Sequence, residues 1–448
     1  MTALWTSAEL RAATGGALAA EVAVQRVGFD SRQVAPGDLF VALKAARDGH
    51  EFVPAAFTAG AACALVEHGE DPRCLIVPDT LAGLTALGAA ARARSGARFV
   101  AVTGSVGKTT TKEMLRVALS AFGLTHAASA SFNNHIGVPA TLANTPRDAV
   151  FAVNELGMNN RGEIAPLARL ARPHVAIISN IGTAHLGRLG SQAEIAAEKG
   201  DIIAGLEPGG TAILPADSPF LPELLARAPR ALTFGEAPGA DIRLLDYTAA
   251  PESGTARIAT PQGQISLALS APGRHLALNA CAVLGAVVAL GLEAGRAAQA
   301  LAGFGAGAGR GLRRSIPLPR GGSILLMDES YNASEASVRA SVSVLASQQG
   351  RKIAVLGDML ELGEQGPAMH RALAPAVAAA ADLVYVCGPL MGGMFADLPP
   401  DRQGAAAPDS VSLAPLLRAA LQPGDTVLVK GSLGMRMATI IQALDAPS

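Results

Sequence analysis

The chain has 448 residues, of which 50% are hydrophobic and 16% charged, so it can form two or three domains with sizeable cores and is not intrinsically disordered. Its 36 basic and 37 acidic residues give a net charge of −1, and only 4% of its residues are aromatic, which argues against a general nucleic-acid binder. The N-terminus lacks a basic segment followed by an apolar core, and the most apolar run, Cys281 to Leu292, is too short to cross a bilayer. We therefore expect no signal peptide, no membrane span and a cytoplasmic protein.

Residues 1–95 predict a small mixed α/β domain in which short strands alternate with helices. Its most polar part is the cluster Asp30, Ser31 and Arg32, which we expect near Lys44 and the turn at residues 48–50. This cluster would suit an anionic ligand. Turn chemistry on a solvated surface explains the same residues equally well, so the spacing favours neither interpretation.

A glycine-rich loop follows the apolar run Arg98 to Val102 and precedes a helix-like run that reaches Phe122. Strand, glycine loop and helix are the context of a phosphate-binding loop, because backbone N–H groups and the helix N-terminus converge on phosphate oxygens. The alternative is an ordinary turn, and Val102 occupies the first glycine position of the general Walker pattern. We predict that the loop binds the phosphates of a ligand through Gly104, Ser105, Val106, Gly107, Lys108, Thr109 and Thr110.

Glu155 ends the apolar run that begins at Ala149, and ligands in open α/β sheets lie at the carboxyl ends of strands. We predict that Glu155 and the Thr109 hydroxyl hold Mg²⁺, since this ion prefers carboxylate and phosphate oxygens. The alternative is a strand end that simply faces the surface. Asn133 and Asn134 lie in the polar loop that precedes this strand.

His185 follows the third strand-like run, His174 to Asn180, and this position at the same sheet edge favours a metal or phosphate role over a structural one. Lys199 lies in a predicted helix from Ser191 to Leu206, and by itself it would be interpreted as a solvated helix lysine. Residues 96–309 form the predicted nucleotide domain, and the glycine-rich run Gly303 to Gly311 is the best linker in the chain.

Residues 310–448 predict a second α/β unit with a parallel sheet, because strand-like and helix-like runs alternate. Polar loops around Asp328, Asp358 and Lys430 each follow a strand, so we expect them to form one site at one sheet edge. The unit contains no second phosphate loop, and we expect it to supply a substrate pocket that closes over the nucleotide.

Together these motifs resemble the Mur ligases, the ATP-dependent amide-forming enzymes of peptidoglycan synthesis, over essentially the whole chain. The matching segments are residues 103–109, 133–139, 155–159, 162–164, 184–186, 328–333, 357–363 and 430–432. The strings at residues 133–139 and 357–363 are the most specific. They are similar to the family member that joins D-alanyl-D-alanine to UDP-N-acetylmuramoyl-tripeptide, and Leu276 and Leu433 are departures from its usual pattern.

The resemblance implies three domains: an N-terminal domain that binds the UDP precursor, a central ATPase domain and a Rossmann-like C-terminal domain. It implies that Lys199 is carbamylated and that Thr109, Glu155, His185 and Lys199 surround Mg²⁺, with Lys108, Lys199 and His185 as catalytic residues. It also implies nucleotide or amine contacts from Asn279, Arg310, Asp328, Tyr331 and Asn332, and substrate contacts from Ser31, Arg32, Asn133, Asn134 and Lys430. The expected partners are the two substrates, with no nucleic acid, and we expect a monomer.

Three other functions remain open on the sequence. A related ligase would act on another amino acid or on folate. A regulatory P-loop switch would have no use for the C-terminal polar loops, and it would usually carry the guanine-reading N-K-x-D string, which is absent. A nucleotide-sugar binding module without turnover would not need Lys108, Thr109 and Glu155 together.

Overall fold

The computed structural model describes residues 3–305, 307–319 and 321–445, and it is an α/β protein of three domains, each built around its own sheet. Among these residues no helix combines the length and apolar character that a bilayer crossing requires. The predicted fold class is confirmed. The predicted linker, Gly303 to Gly311, includes residue 306, which lies outside the described residues.

The N-terminal domain is a parallel four-stranded sheet in the order β3-β4-β5-β6, joined to a short antiparallel pair, β1-β2. Its first helix begins with a capping box in which Thr6 and Glu9 exchange hydrogen bonds, which satisfies donors at the helix start. The strands are β1 (Trp5–Thr6), β2 (Ala23–Val24), β3 (Arg26–Gly28), β4 (Asp38–Val41), β5 (Cys63–Val66) and β6 (Cys74–Ile76), and the helices are α1 (Ser7–Thr14), α2 (Val53–Thr58) and α3 (Thr80–Arg94).

The central domain contains a nine-stranded sheet in the order β15-β14-β13-β12-β11-β10-β7-β9-β8, parallel from β8 to β13 and antiparallel beyond. Its strands are β7 (Arg98–Thr103), β8 (Thr125–Ala127), β9 (Phe151–Glu155), β10 (Val175–Ile178), β11 (Thr211–Pro215), β12 (Ala231–Gly235), β13 (Ile242–Ala249), β14 (Gly254–Thr260) and β15 (Gly263–Leu269). Its helices are α4 (Lys108–Ser120), α5 (Gly137–Ala143), α6 (Ile164–Ala171), α7 (Leu186–Leu189), α8 (Gln192–Gly200), α9 (Leu221–Arg227), α10 (Arg274–Ala289) and α11 (Ala294–Leu301).

The C-terminal domain contains a six-stranded sheet in the order β16-β17-β21-β18-β19-β20, in which only β16 is antiparallel. Its strands are β16 (Leu312–Pro317), β17 (Ser323–Glu329), β18 (Lys352–Gly357), β19 (Leu383–Cys387), β20 (Gln403–Ala407) and β21 (Thr426–Lys430). Its helices are α12 (Glu335–Ala346), α13 (Gly366–Arg371), α14 (Ala374–Ala380), α15 (Pro389–Ala396), α16 (Ser410–Ala420) and α17 (Ala438–Asp445). The predicted alternation of strands and helices is present, and the three predicted polar loops follow β17, β18 and β21.

Two predicted elements of the central domain differ from the structure. The helix predicted from Ser191 to Leu206 ends at Gly200 and continues as a 3₁₀ turn, Asp201–Gly205, which packs against α6. Residues 217–270, where the sequence predicts irregular structure with alternating strands such as Ile265 to Leu269, contain α9, the parallel strand β12 and the extension of the sheet by β13 to β15. The antiparallel part buries alternate side chains of β14 against α10. Alternation was visible in this segment, but the identity of its neighbouring strands was not.

The N-terminal domain is tied to the central domain by buried hydrogen bonds. The Trp5 indole N–H donates to the Ala143 carbonyl at 2.9 Å, and the Asn144 side chain bonds both the N–H and the C=O of Val27 at 2.8 Å. Helix α3 approaches α5 so closely that a Cβ on Gly88 would lie 2.9 Å from the Pro139 carbonyl oxygen. These contacts fix the two domains against one another.

Candidate active site

The phosphate loop connects β7 to α4 as predicted, and its shape depends on two glycines with positive φ. Gly107 has φ 82° at the start of α4, and a Cβ there would lie 2.8 Å from Asn279 Oδ1. Gly104 has φ 152°, and a Cβ there would overlap Ser179 Oγ. Any other residue would therefore be strained or would collide with its neighbours, so the glycines create the cradle that an anion needs.

Hydrogen bonds hold the loop to the end of the neighbouring strand β10. Ser179 Oγ donates to the Val106 carbonyl at 2.6 Å, Ser105 N–H donates to the Asn180 carbonyl at 2.9 Å, and Gly182 N–H donates to Ser105 Oγ at 2.9 Å. Lys108 Nζ donates to the Gly104 carbonyl at 2.7 Å, so the lysine lies across the loop. Asn279 is buried against Gly107, and this places it beside the loop.

Glu155 is buried beside the loop and accepts hydrogen bonds from three side chains. Thr109 Oγ1 donates to Oε2 at 2.8 Å, while Ser131 Oγ and Asn133 Nδ2 donate to Oε1 at 2.9 and 2.8 Å. Glu155 pairs with Val102 in the parallel register of β7 and β9, which explains why the carboxylate faces the loop. Within the described chain it forms no ion pair, so the buried charge suits a cation.

Lys112, one turn along α4 from Lys108, is fully buried beneath this group. Its Nζ donates to the Ala128 and Ala130 carbonyls at 2.5 and 3.1 Å and lies 2.9 Å from Glu113 Oε1. The lysine therefore fixes residues 128–130, which lead directly into Ser131. Its spacing on α4 resembles that of any helix lysine, so no sequence pattern signals this role.

Lys199 is only 1% exposed, which contradicts the interpretation of a solvated helix lysine. Its ammonium group forms no hydrogen bond or ion pair with the residues that the structure describes. Burial lowers the pKa of Lys199 well below its usual value, the charge of Lys108 lowers it further, and Glu198 opposes the shift. Glu198 itself accepts from the N–H groups of Gly162, Glu163 and Ile164, so it caps α6.

His185 adopts the left-handed conformation with φ 66° at the start of α7, and its Nδ1 lies 2.6 Å from Glu361 Oε2 of the C-terminal domain. Burial lowers the pKa of His185, and the positive charges of Lys108 and Lys199 add to that effect while Glu361 opposes it. Burial likewise lowers the pKa of Lys108, with Arg310 adding to the shift and Glu155 opposing it. The three side chains, Lys108, His185 and Lys199, therefore share one electropositive region.

The C-terminal domain brings its own polar groups to this region. The Arg310 guanidinium lies 3.9 Å from the centre of the Tyr331 ring, a cation–π contact. Asp328 is buried and accepts from Gly309 N–H at 2.9 Å and from Ser330 Oγ at 2.6 Å. Lys430, also buried, donates to the Asn332 carbonyl at 3.0 Å and lies 3.5 Å from Glu329 Oε2. The loops after β17 and β21 thus meet at one edge, as predicted.

Several predicted polar residues have structural partners. Asp358 accepts from the N–H of Met391 at 2.7 Å and caps α15, so it does not join the group formed by Asp328 and Lys430. Asn134 accepts from the N–H groups of Ile136 and Gly137 at the start of α5. Arg32 pairs with Asp30 at 2.8 Å on the surface and Ser31 is half-buried beside it. Thr110 follows Thr109 in α4 with its side chain partly exposed.

Sequence reasoning missed four residues that shape the site, Ser131, Ser179, Asn180 and Glu361. Asn180 Oδ1 is buried without a hydrogen-bond partner in the described chain, and Gly182 lies against it. Glu361 lies inside a motif that the sequence identified, but only the tertiary structure shows that its side chain reaches another domain. The position of Ser179 and Asn180 at the end of β10 was the one signal that could have found them.

Comparison with known families gives two matches that follow this architecture. Residues 102–287 match the Mur ligase middle domain, and residues 319–433 match the Mur ligase glutamate ligase domain. The first range contains the phosphate loop, Glu155, His185 and Lys199, and the second contains Asp328, Glu361 and Lys430.

Full-length relatives extend the similarity beyond these two ranges. The UDP-N-acetylmuramoyl-tripeptide–D-alanyl-D-alanine ligase of Escherichia coli K12 is 35% identical, with 95% of this chain and 94% of that protein covered. The enzyme of the same name from Synechocystis is 34% identical, with 95% and 93% covered.

Solved structures agree with these relatives. The crystal structure of MurF from Acinetobacter baumannii superimposes with a TM-score of 0.87 at 32% identity, covering 98% of each chain. MurF ligase from Thermotoga maritima, solved in complex with ADP, gives a TM-score of 0.81 at 28% identity, covering 94% of this chain and 97% of that one. The chain therefore belongs to the Mur ligases, in the family of the UDP-N-acetylmuramoyl-tripeptide–D-alanyl-D-alanine ligases.

Proposed function

We propose that the chain is an ATP-dependent ligase that joins D-alanyl-D-alanine to UDP-N-acetylmuramoyl-tripeptide, a cytoplasmic step of peptidoglycan precursor synthesis. The observation that carries the proposal is the group of Lys108, Thr109 and Glu155 around a phosphate loop, with Arg310 of the C-terminal domain near enough to lower the pKa of Lys108, in a chain whose full-length relatives carry that name. A switch protein or a binding module would not need the polar groups at the edge of the C-terminal sheet.

The nucleotide would lie on the phosphate loop, whose residues 104–110 present backbone N–H groups at the start of α4. Lys108 now donates to the Gly104 carbonyl and would turn toward the terminal phosphates, where its charge neutralises theirs. The ADP bound to the Thermotoga maritima relative supports a nucleotide site of this kind. Asn279 beside Gly107, and Arg310 stacked on Tyr331, would complete the nucleotide contacts.

The proposed metal group is Thr109, Glu155, His185 and Lys199. The fit rests on Glu155, which is buried and forms no ion pair among the described residues, although it interacts with the charge of Lys108, and on the hard oxygen ligands that it and Thr109 offer. When bound, Mg²⁺ would supply charge neutralisation at the phosphates and at the reacting carboxylate. The chain's own contribution is to hold Glu155 in one orientation through Thr109, Ser131 and Asn133.

Lys199 is proposed to be carbamylated. Its burial and the nearby charge of Lys108 lower the pKa of its ammonium group, and the neutral amine is the form that attacks CO₂. In that step a C–N bond forms, one C–O bond order is lost, and the amine releases one proton. The resulting carbamate is negative, so it can ligate a metal and can balance Lys108, whereas an ammonium group can do neither.

The substrates would meet between the central and C-terminal sheets. The tripeptide carboxylate, once phosphorylated by ATP, becomes an acyl phosphate whose leaving group is inorganic phosphate; the amine of D-alanyl-D-alanine then attacks to give the amide. Asp328, Asn332 and Lys430 would hold the incoming dipeptide, and docking of the C-terminal domain would exclude water. Ser31, Arg32, Asn133 and Asn134 remain proposed precursor contacts, and 1–95, 96–309 and 310–448 remain proposed domain bounds.

The test is ADP release by the purified protein with UDP-N-acetylmuramoyl-tripeptide, with and without D-alanyl-D-alanine. We expect sustained ADP release and a new amide product only with both substrates. Free amino acids and glutamate in place of the dipeptide test the related ligases, and ADP release that ignores both substrates would favour a switch. Nucleotide and precursor binding without any ADP release would favour a binding module.

A further inference from the structure

Two loops from different domains touch beside the phosphate loop. One is the His185 segment, residues 182–190 of the central domain, and the other is the Glu361 loop, residues 358–363 of the C-terminal domain. Gly187 N–H donates to the Glu361 carbonyl at 3.0 Å, and a Cβ on Gly187 would lie 2.5 Å from the Gly363 nitrogen. Only glycine at position 187 permits this approach of the two main chains.

The Glu361 carboxylate bridges two side chains of the His185 segment. Oε1 accepts from Arg188 Nη2 at 3.0 Å, and Oε2 lies 2.6 Å from His185 Nδ1. The Oε2 contact is close, but it does not have the geometry of a hydrogen bond. A charged group that contacts two side chains at once restricts the segment more than either contact alone would.

Each of the two loops is also held by hydrogen bonds within its own domain. In the Glu361 loop, Met359 N–H donates to the buried His370 Nε2 at 2.9 Å and Leu360 N–H donates to Ser432 Oγ at 2.9 Å. The His185 segment begins at Gly182, which is bonded to Ser105 of the phosphate loop. Met369 adds apolar contact, because it packs against the cores of both domains.

Glu361 also adopts a left-handed conformation, with φ 66°, which costs free energy for a residue with a long side chain. The loop retains this conformation because its backbone is held by His370 and Ser432. The strain is localised at the residue whose carbonyl and carboxylate both contact the other domain.

We propose that Glu361 is a positioning residue that clasps the His185 segment when the C-terminal domain docks, so that His185 is ordered only in the docked protein. The effect of the clasp on turnover rests on the proposed function, whereas the contact between the two loops does not depend on it. It joins the phosphate loop, through Ser105 and Gly182, to the loop that continues from β18 on the C-terminal sheet. Docking of the C-terminal domain and ordering of His185 are thereby one event.

The test measures hydrogen–deuterium exchange of residues 182–190 in the free protein for Glu361→Ala, Arg188→Ala and the double variant. We expect Glu361→Ala to raise exchange in this segment by about tenfold and Arg188→Ala to raise it less, because the contact of Glu361 with His185 remains. The double variant should add little to Glu361→Ala, since that change already removes the contact with Arg188. Glu335→Ala, which removes a surface pair with Arg339 inside the C-terminal domain, is the matched control and should leave the segment unchanged.

In turnover, we expect Glu361→Ala to lower kcat by about tenfold with little change in ATP affinity, and Glu361→Gln, which can still bond Arg188, to retain an intermediate kcat. Gly187→Ala should reproduce the loss by blocking the approach of the main chains. Unchanged exchange and kcat in Glu361→Ala, or additive effects of Glu361 and Arg188, would overturn the clasp. If the wild-type protein makes no amide, the proposed function fails, and exchange in the free protein still decides the clasp.

Discussion

The hydroxyl of Thr109 donates to Glu155 Oε2 at 2.8 Å, which joins the first turn of α4 to the end of β9. Together with Ser131 and Asn133, Thr109 surrounds the carboxylate with donors, and the carboxylate forms no ion pair in the described chain. A buried carboxylate arranged in this way has a clear use only if a positive ion approaches it.

Glu155→Gln should weaken Mg²⁺ binding by at least about tenfold, because the amide has no charge and one of its two heavy atoms is a donor. At least one of the three donors would then face an NH₂ group. The measurement is calorimetry of ATP binding with increasing Mg²⁺. Glu335→Gln is the control, and an unchanged Mg²⁺ dependence in Glu155→Gln would remove this residue from the metal site.

Lys108→Ala should abolish turnover, with a loss on the order of a thousandfold, because a single positioned donor to developing phosphate charge contributes that much. Binding of the UDP precursor should change little, since the hydrogen bond of Lys108 lies within the phosphate loop. Turnover and precursor titrations give the two readouts. Arg116→Ala, an exposed change on the same helix, should behave as the wild type. Ligation that survives the Lys108 change would exclude it from the mechanism.

Lys199→Ala should lower kcat by about a hundredfold or more, because the proposed carbamate would be lost together with its metal contact. A small carboxylate such as acetate should partly restore activity by occupying the space that is left. The decisive measurement is kcat with and without the added carboxylate. Full activity in the unsupplemented variant would refute the carbamate.

Lys199→Met should raise the melting temperature by a few degrees at neutral pH in CO₂-free buffer. The pKa of Lys199 is lower in the folded protein than in the unfolded chain. Between these two pKa values the unfolded chain keeps a proton that the folded protein has lost, so the stability of the folded protein increases as the pH rises through this range. The cost of burying the ammonium group is therefore greatest below the folded pKa and disappears as the pH passes the ordinary lysine pKa. The advantage of methionine should shrink accordingly in melting curves at alkaline pH, and an advantage independent of pH would show that folding does not lower the pKa of Lys199.

Lys112→Met should destabilise the central domain by about 2–4 kcal/mol, because the Ala128 and Ala130 carbonyls lose their donor and Glu113 loses one of its two ionic contacts. Without these hydrogen bonds residues 128–130 should become more mobile, which should displace Ser131 and weaken Mg²⁺ binding at Glu155. Calorimetric melting measures the first effect and Mg²⁺ titration the second. Wild-type stability in Lys112→Met would show that these carbonyls find other donors.

The sequence by itself determined the phosphate loop, the strand-end positions of Glu155, His185 and Lys430, and the alternation of strands and helices in the C-terminal domain. These features are local, because glycine spacing, apolar periodicity and the end of a strand can each be recognised within a few residues of sequence.

The tertiary structure decided what depends on which elements become neighbours. The burial of Lys199 follows from the packing of α8 in the central core, although its sequence looks like that of a surface helix. The antiparallel extension of β13 to β15 and the role of Asp358 as a helix cap depend on partners far away in the chain. The contact between Glu361 and His185 joins residues 176 positions apart and exists only because two separate sheets are docked, so no local pattern could have predicted it.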